Sequence, residues 1–166
     1  MLTEFEQALV NKLVHQFFDV VPFELSTFCA LKSKIACAAL NHFGIETSLY
    51  VCQMRHYSKA GIYAVGFISD KLPQGKWNGH VICKAKNYFI DVALYTFKKK
   101  FNLEVPMAVG IRADDFEQQQ FAHYNLTDSS EIKWLQAPEG FDKTIPDEPI
   151  ELIQEYTQEL IRRIDT

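Results

Sequence analysis

Apolar positions recur at helical spacing near the N-terminus, where Phe5, Leu9, Leu13 and Phe17 form one stripe that Ala8, Val10 and Val14 widen. The pattern predicts a helix over 4–20, and Pro22 ends it. A second helical stretch has Ile35, Ala38, Ala39 and Phe43 on an apolar side and Lys32 and Lys34 on a polar side. Ser26 or Thr27 can cap its start and Gly44 suits its end, giving a predicted span of 28–43. Beyond Gly44 the period shifts from helical to alternating. Residues 45–52 and 61–68 read as strands rich in β-branched and aromatic side chains.

The stretch 70–79 holds Pro73, Gly75 and Gly79 and reads as a loop. Residues 80–84 and 88–94 then form a hairpin, with further strands at 105–111 and 132–135. Residues 113–123 read as a short helix or as irregular chain. Pro146-Asp147-Glu148-Pro149 opens a last helix over 150–164, with acids in its first turn and Arg162 and Arg163 in its last, an order that suits the helix dipole. Its apolar positions Ile150, Ile153, Tyr156, Leu160 and Ile164 either pack on the domain or form a dimer interface. Helices flanking consecutive strands predict one α+β domain over 1–166 with a mainly antiparallel sheet.

Composition narrows the function classes. The 166 residues are 48% apolar and 13% aromatic, enough for a single, largely aromatic core. A net charge of -4 argues against general nucleic-acid binding, which leaves a basic footprint. Lys98-Lys99-Lys100 reads as a solvated strand end or loop. No apolar run is long enough to span a bilayer, and the first residues lack a basic n-region, so a soluble, cytoplasmic protein is expected. Of the four cysteines, Cys37, Cys52 and Cys83 fall within apolar patterns, where a free thiol behaves as a small hydrophobe. No CxxC spacing or other metal-ligand pattern is present, and neither a phosphate loop nor a nucleotide fingerprint occurs, so no cofactor is expected. His15, His42, His56 and His123 lie in amphipathic or polar segments without a partner that the sequence identifies.

Cys29 stands apart. A cap at Ser26 or Thr27 places it at the second or third helical position, where unpaired N–H groups and the helix dipole favour a thiolate, the form that attacks. In the hairpin, a turn at Ala85-Lys86, or a four-residue loop from Lys84 to Asn87, sets His80 directly opposite Asp91 on one face. A Lys86-Asn87 turn makes them diagonal neighbours on that face, and a three-residue loop would separate them. A carboxylate beside an imidazole sets its tautomer and stabilises its protonated form, freeing the other nitrogen to work on a thiol.

Thr27-Phe28-Cys29-Ala30-Leu31, the small-residue helix through Cys37-Ala38-Ala39-Leu40, and Phe43-Gly44-Ile45 entering a strand resemble the nucleophile helix of transglutaminase-like proteins. Gly79-His80-Val81-Ile82 and Tyr88-Phe89-Ile90-Asp91 resemble that family's His and Asp strands, and arylamine N-acetyltransferases show a similar Cys, His, Asp order. The resemblance covers about residues 26–95. It implies a papain-like α+β fold with Cys29 as nucleophile, His80 as general base and acid, and Asp91 orienting His80. Trp77 and Phe28 are candidate walls of a substrate cleft. Gln16 is the candidate side-chain donor of an oxyanion hole, beside the Cys29 backbone N–H.

Two readings follow. One is an enzyme of acyl transfer or amide and peptide hydrolysis, acting on a peptide, a protein or a small amide or thioester through an acyl-enzyme. The other is a non-catalytic domain that uses the same groove to bind a peptide or protein. Thiol reactivity at Cys29 separates them.

Overall fold

The computed structural model describes residues 1–27, 29–66, 79–113, 120–137 and 145–166, with the side chains of Ser26 and Thr27 outside that set. Helix α1 (Glu4–Val20) opens on a capping box: the Thr3 hydroxyl accepts from the Glu6 amide, and the Glu6 carboxylate accepts from the Thr3 amide. A 3-10 turn (Phe23–Thr27) leads to α2 (Cys29–His42). Gly44, with φ of 77°, supplies the left-handed residue that turns the chain out of α2 while the Ile45 amide bonds back to the Leu40 carbonyl.

The strands are β1 (Thr47–Ser58), β2 (Gly61–Val65), β3 (His80–Ala85), β4 (Tyr88–Asp91), β5 (Val109–Arg112), β6 (Gln120–Asn125) and β7 (Glu131–Gln136). Helix α3 (Tyr95–Phe101) follows β4, and α4 (Ile150–Asp165) closes the chain. All pairings are antiparallel, in the order β5-β4-β3-β1-β7-β6, with β2 on β1. The long β1 is the spine: Thr47 to Cys52 pairs with β3, Met54 to Ser58 with β2 on the same edge, and Cys52 to Tyr57 with β7 on the other. Contacts between β5 and β6 bring the two ends of the sheet together, so it is nearly closed.

Alternation along the strands divides the interior in two. Cys83, Ala85, Ile90 and Val92 face α1, α2 and α4, packing on Leu13, Phe17, Ile35, Leu40 and Leu160. Ile82, Phe89, Val109, Phe121, Ile132 and Trp134 face the other way into an aromatic core that Phe97 of α3 completes. Helix α4 lies against α1 and α2, with Leu160 and Ile164 of its apolar stripe buried in the domain and Ile150 exposed. Among the described residues no helix is long and apolar enough to cross a membrane.

The α+β class and antiparallel sheet agree with the sequence reading, and several local expectations do not. Residues 98–100 close a helix rather than a strand or loop, and β6 occupies part of the stretch read as helical or irregular. His56 and His123, read as lying in polar segments, are on β1 and β6, with His56 buried. Strand β5 starts at Val109, later than the predicted 105. Lys32, assigned to the polar side of its helix, is wholly buried. Each of these depends on partners distant in sequence, which override local propensity. The loop 70–79 lies outside the described residues except for Gly79.

Candidate active site

Three contacts in sequence set α2 against β3. The Cys29 Sγ lies 3.9 Å from the Gly79 carbonyl, the Ser33 hydroxyl donates to the Val81 carbonyl at 2.7 Å, and the Cys37 and Cys83 sulfurs meet at 2.9 Å. Four helical residues advance about 6.0 Å and two strand residues about 6.7 Å, so the rows stay in step for two turns. The sequence reason is the spacing of small side chains, Cys29, Ser33 and Cys37, along one face, which lets helix and strand approach closely. This register places the half-buried Cys29, the first residue of α2, beside the first residue of β3.

That first residue is His80, wholly buried with Asp91. Ala85 pairs with Tyr88 and Cys83 with Ile90, so the hairpin turns at Lys86-Asn87, with Lys86 at a φ of 56°. Of the arrangements the sequence left open, the diagonal one is formed. His80 Nε2 donates to Asp91 Oδ2 at 2.7 Å. The Trp134 indole N–H donates to the same oxygen at 2.8 Å, and the Ala93 amide donates to Oδ1 at 2.9 Å. Nε2 is thus committed to Asp91, which leaves Nδ1 for the Cys29 thiol, and the sulfur is within hydrogen-bonding reach of the ring.

Burial opposes charge on both members of the pair, and mutual attraction wins. Desolvation pulls the His80 imidazolium down, but the Asp91 charge and hydrogen bond, with Cys29 adding to them, raise it to about 10. Desolvation likewise pushes the Asp91 carboxyl up, yet the His80 charge and the donors from His80, Trp134 and Ala93 hold it below its ordinary value. The buried pair is therefore imidazolium–carboxylate, with the Cys29 sulfur at its open nitrogen. The neighbouring Cys52, opposite His80 on β1, is inert: burial and the charges of Asp91 and Cys29 push its thiol well above the usual range.

Gly66 completes the support. At φ of 85° it packs so tightly that a Cβ there would sit 2.9 Å from the Cys52 carbonyl and 3.1 Å from both Cβ and N of His80. The Gln53 amide donates to the Gly66 carbonyl at 3.1 Å, fixing the segment. Trp134, Gly66 and the Ala93 amide were missed by sequence reasoning. A Trp in a strand carries an N–H that needs a buried acceptor, which was the available signal for Trp134. The contacts of Gly66 and Ala93 leave no local mark.

Gln16 lies on α1 with a buried Oε1 that has no hydrogen-bond partner among the described residues, and no described contact joins it to Cys29 or His80. Phe28 and Trp77 fall outside the described residues.

A second buried imidazole lies elsewhere on the sheet. His56 Nε2 is 3.0 Å from the Ser130 hydroxyl, and that hydroxyl donates to Asp128. The rings of Tyr63 and Phe97 flank His56. Because the serine proton is directed at Asp128, these residues hold a turn together and do not assemble a nucleophile.

No family model matches this chain, and no curated protein matches it. A solved structure it is similar to, named only as the crystal structure of genomics APC5867, superimposes with a TM-score of 0.54 at 11% identity. The match covers 97% of this chain and 79% of that one. The likeness is one of fold: it extends over nearly all of this α+β domain and assigns no chemistry to it.

Proposed function

We propose that this is a cysteine-dependent acyl-transfer or amide-hydrolysing enzyme of transglutaminase-like, papain-like type, with Cys29 as nucleophile. The observation that carries this reading is the buried His80–Asp91 ion pair, whose free ring nitrogen is presented to a cysteine at a helix start. A buried ion pair costs desolvation that an apolar pair would avoid, so its presence beside a half-buried thiol argues for chemistry.

The steps follow from the protonation states. The Cys29 thiolate attacks the carbonyl carbon of an amide or thioester, and the electron pair moves to oxygen. Collapse expels the leaving amine or thiolate as His80, already protonated, gives it the Nδ1 proton. The neutral ring then takes a proton from water or an acceptor amine as that nucleophile attacks the acyl-cysteine thioester. Collapse frees the acid or the new amide and restores the thiolate–imidazolium pair. Asp91 keeps Nε2–H in place throughout and compensates the charge on the ring. The Cys29 backbone N–H, unpaired within the helix at its first turn, is a candidate oxyanion donor.

The test is the pH dependence of Cys29 alkylation by iodoacetamide, with the labelled site located by mass spectrometry, in the natural protein and in His80→Ala. The reading expects rapid labelling at Cys29 near neutral pH, where an ordinary thiol reacts slowly, and at least tenfold slowing in His80→Ala. Ordinary thiol titration indifferent to His80 would replace it with a non-catalytic domain that binds a peptide or protein.

A further inference from the structure

Among the described residues, Lys32 is the charged residue in the helical part of the core whose burial has no explanation so far. It lies three residues after Cys29, on the next turn of α2, with its side chain wholly removed from solvent. Its Nζ has no hydrogen-bond partner among the described residues and lies over the face of the Phe18 ring, 5.0 Å from the centroid. An unpaired buried ammonium is among the least favourable groups a core can hold. A neighbouring lysine shows the usual alternative, since Lys34 Nζ reaches the Pro146 carbonyl at 2.7 Å.

Side chains on a helix lean toward its N-terminus, so a lysine at this position extends back over the first turn, where Cys29 lies. Its electrostatic surroundings agree. The charged or titratable groups acting on it are Cys29 on its own helix, Asp91 on β4, Glu24 on the 3-10 turn and Lys99 on α3. Desolvation draws the amine down to about 8, and Cys29, Asp91 and Glu24 act against that fall. The amine is therefore largely charged at neutral pH, and the charge becomes more favourable as negative charge appears at Cys29.

A charge count at the buried site explains the placement. Asp91 and a Cys29 thiolate contribute two negative charges, and the His80 imidazolium contributes one positive charge. Without a further cation, forming the nucleophile leaves the site with net negative charge in a low-dielectric setting. We propose that Lys32 is the counter-charge of the Cys29 thiolate, a positioning residue that makes the site neutral when the nucleophile is formed. This rests on the reading of Cys29 as a nucleophile. Lys32 makes no contact with the reacting carbonyl in this role; it acts through Cys29.

The experiment compares iodoacetamide alkylation of Cys29 across pH in Lys32→Met, Lys32→Arg and the natural protein, with folding checked by circular dichroism. Lys32→Met is expected to slow labelling about tenfold at pH 6 to 7. Lys32→Arg, which keeps the charge, is expected to stay within about threefold of the natural rate. A Lys32→Met profile that superimposes on the natural one, while His80→Ala still slows labelling, overturns the proposal and leaves the triad reading intact. If the natural thiol titrates ordinarily and ignores His80, the triad reading fails instead. The reciprocal measurement needs no core substitution at Lys32. By linkage, the Lys32 amine followed by NMR of isotopically labelled lysine must titrate lower in Cys29→Ser than in the natural protein. An unchanged titration overturns the proposal even if Lys32→Met does not fold.

Discussion

Two buried histidines on the same antiparallel sheet have been driven in opposite directions. His80 is 1% exposed and His56 is 3% exposed, and each bonds through Nε2 to a side chain on another strand or turn. For both, desolvation is the largest influence and favours the neutral ring. At His56 the partner is a hydroxyl, the Asp128 charge lies one residue further off, and desolvation wins, so its imidazolium is held below the ordinary value. At His80 the partner is itself a buried carboxylate, held by an indole and an amide, and the balance reverses to about 10. Burial alone therefore does not mark a functional histidine. What separates the two sites is whether the partner carries a full charge and whether that charge has its own support.

The largest effect should come from removing that charge. Asp91→Asn leaves a buried histidine without its counter-ion, and loss of one member of a buried pair costs about 3–5 kcal/mol. Urea denaturation should show it, and His80 should then resemble His56, titrating below about 6.5. Natural stability in the Asp91→Asn variant would mean the pair contributes little and that the contrast between the histidines is not electrostatic.

Gly66→Ala tests the backbone support without touching either charge. Its Cβ would meet the Cys52 carbonyl at 2.9 Å in a left-handed conformation, and strain plus overpacking should cost about 3 kcal/mol. Cys29 alkylation should also slow, because the first residue of β3 must shift. Labelling at the natural rate in a folded Gly66→Ala variant would show that His80 is placed by its own strand pairing alone.

The smallest change sharpens the comparison from the other side. Ser130→Ala should cost about 1 kcal/mol and alter only the His56 resonance in an imidazole NMR titration, with His80 and Cys29 unaffected. In the natural protein His80 should remain protonated until the pH approaches 10, while His56 titrates below 6.5. The signs for stability follow. His80, raised in the folded state, stabilises in full below about 6.5 and loses that contribution as pH rises toward 10. His56, lowered in the folded state, does the reverse: its contribution is present above about 6.5 and is lost as acid protonates the unfolded chain first. Asp91, also lowered, loses its contribution as pH falls below the carboxyl range. A stability profile in which His56→Phe and His80→Asn variants lose the same pH-dependent component would contradict this assignment.

The amino-acid sequence by itself determined the parts that depend on near neighbours. Apolar spacing marked α1, α2 and α4 close to their observed ends, since each is a continuous stripe with its own cap or stop residue. The hairpin of β3 and β4 was legible for the same reason, and with it the meeting of His80 and Asp91, because eleven residues and a tight turn leave few registers. Cys29 near a helix start was legible as well, although α2 begins at Cys29 itself and a 3-10 turn takes in Ser26 and Thr27, the expected caps. The tertiary structure decided everything that needed a distant partner. Lys98, Lys99 and Lys100 become helical because Phe97 inserts into the aromatic core, and Lys32 is buried with its Nζ over the Phe18 ring of α1. Trp134 reaches Asp91 only because β7 and β3 share β1 as a neighbour, a pairing across 43 residues that no local period encodes. Periodicity reports which face of an element is apolar, whereas the identity of the group on the other side of that face is set by how the nearly closed sheet brings its strands together.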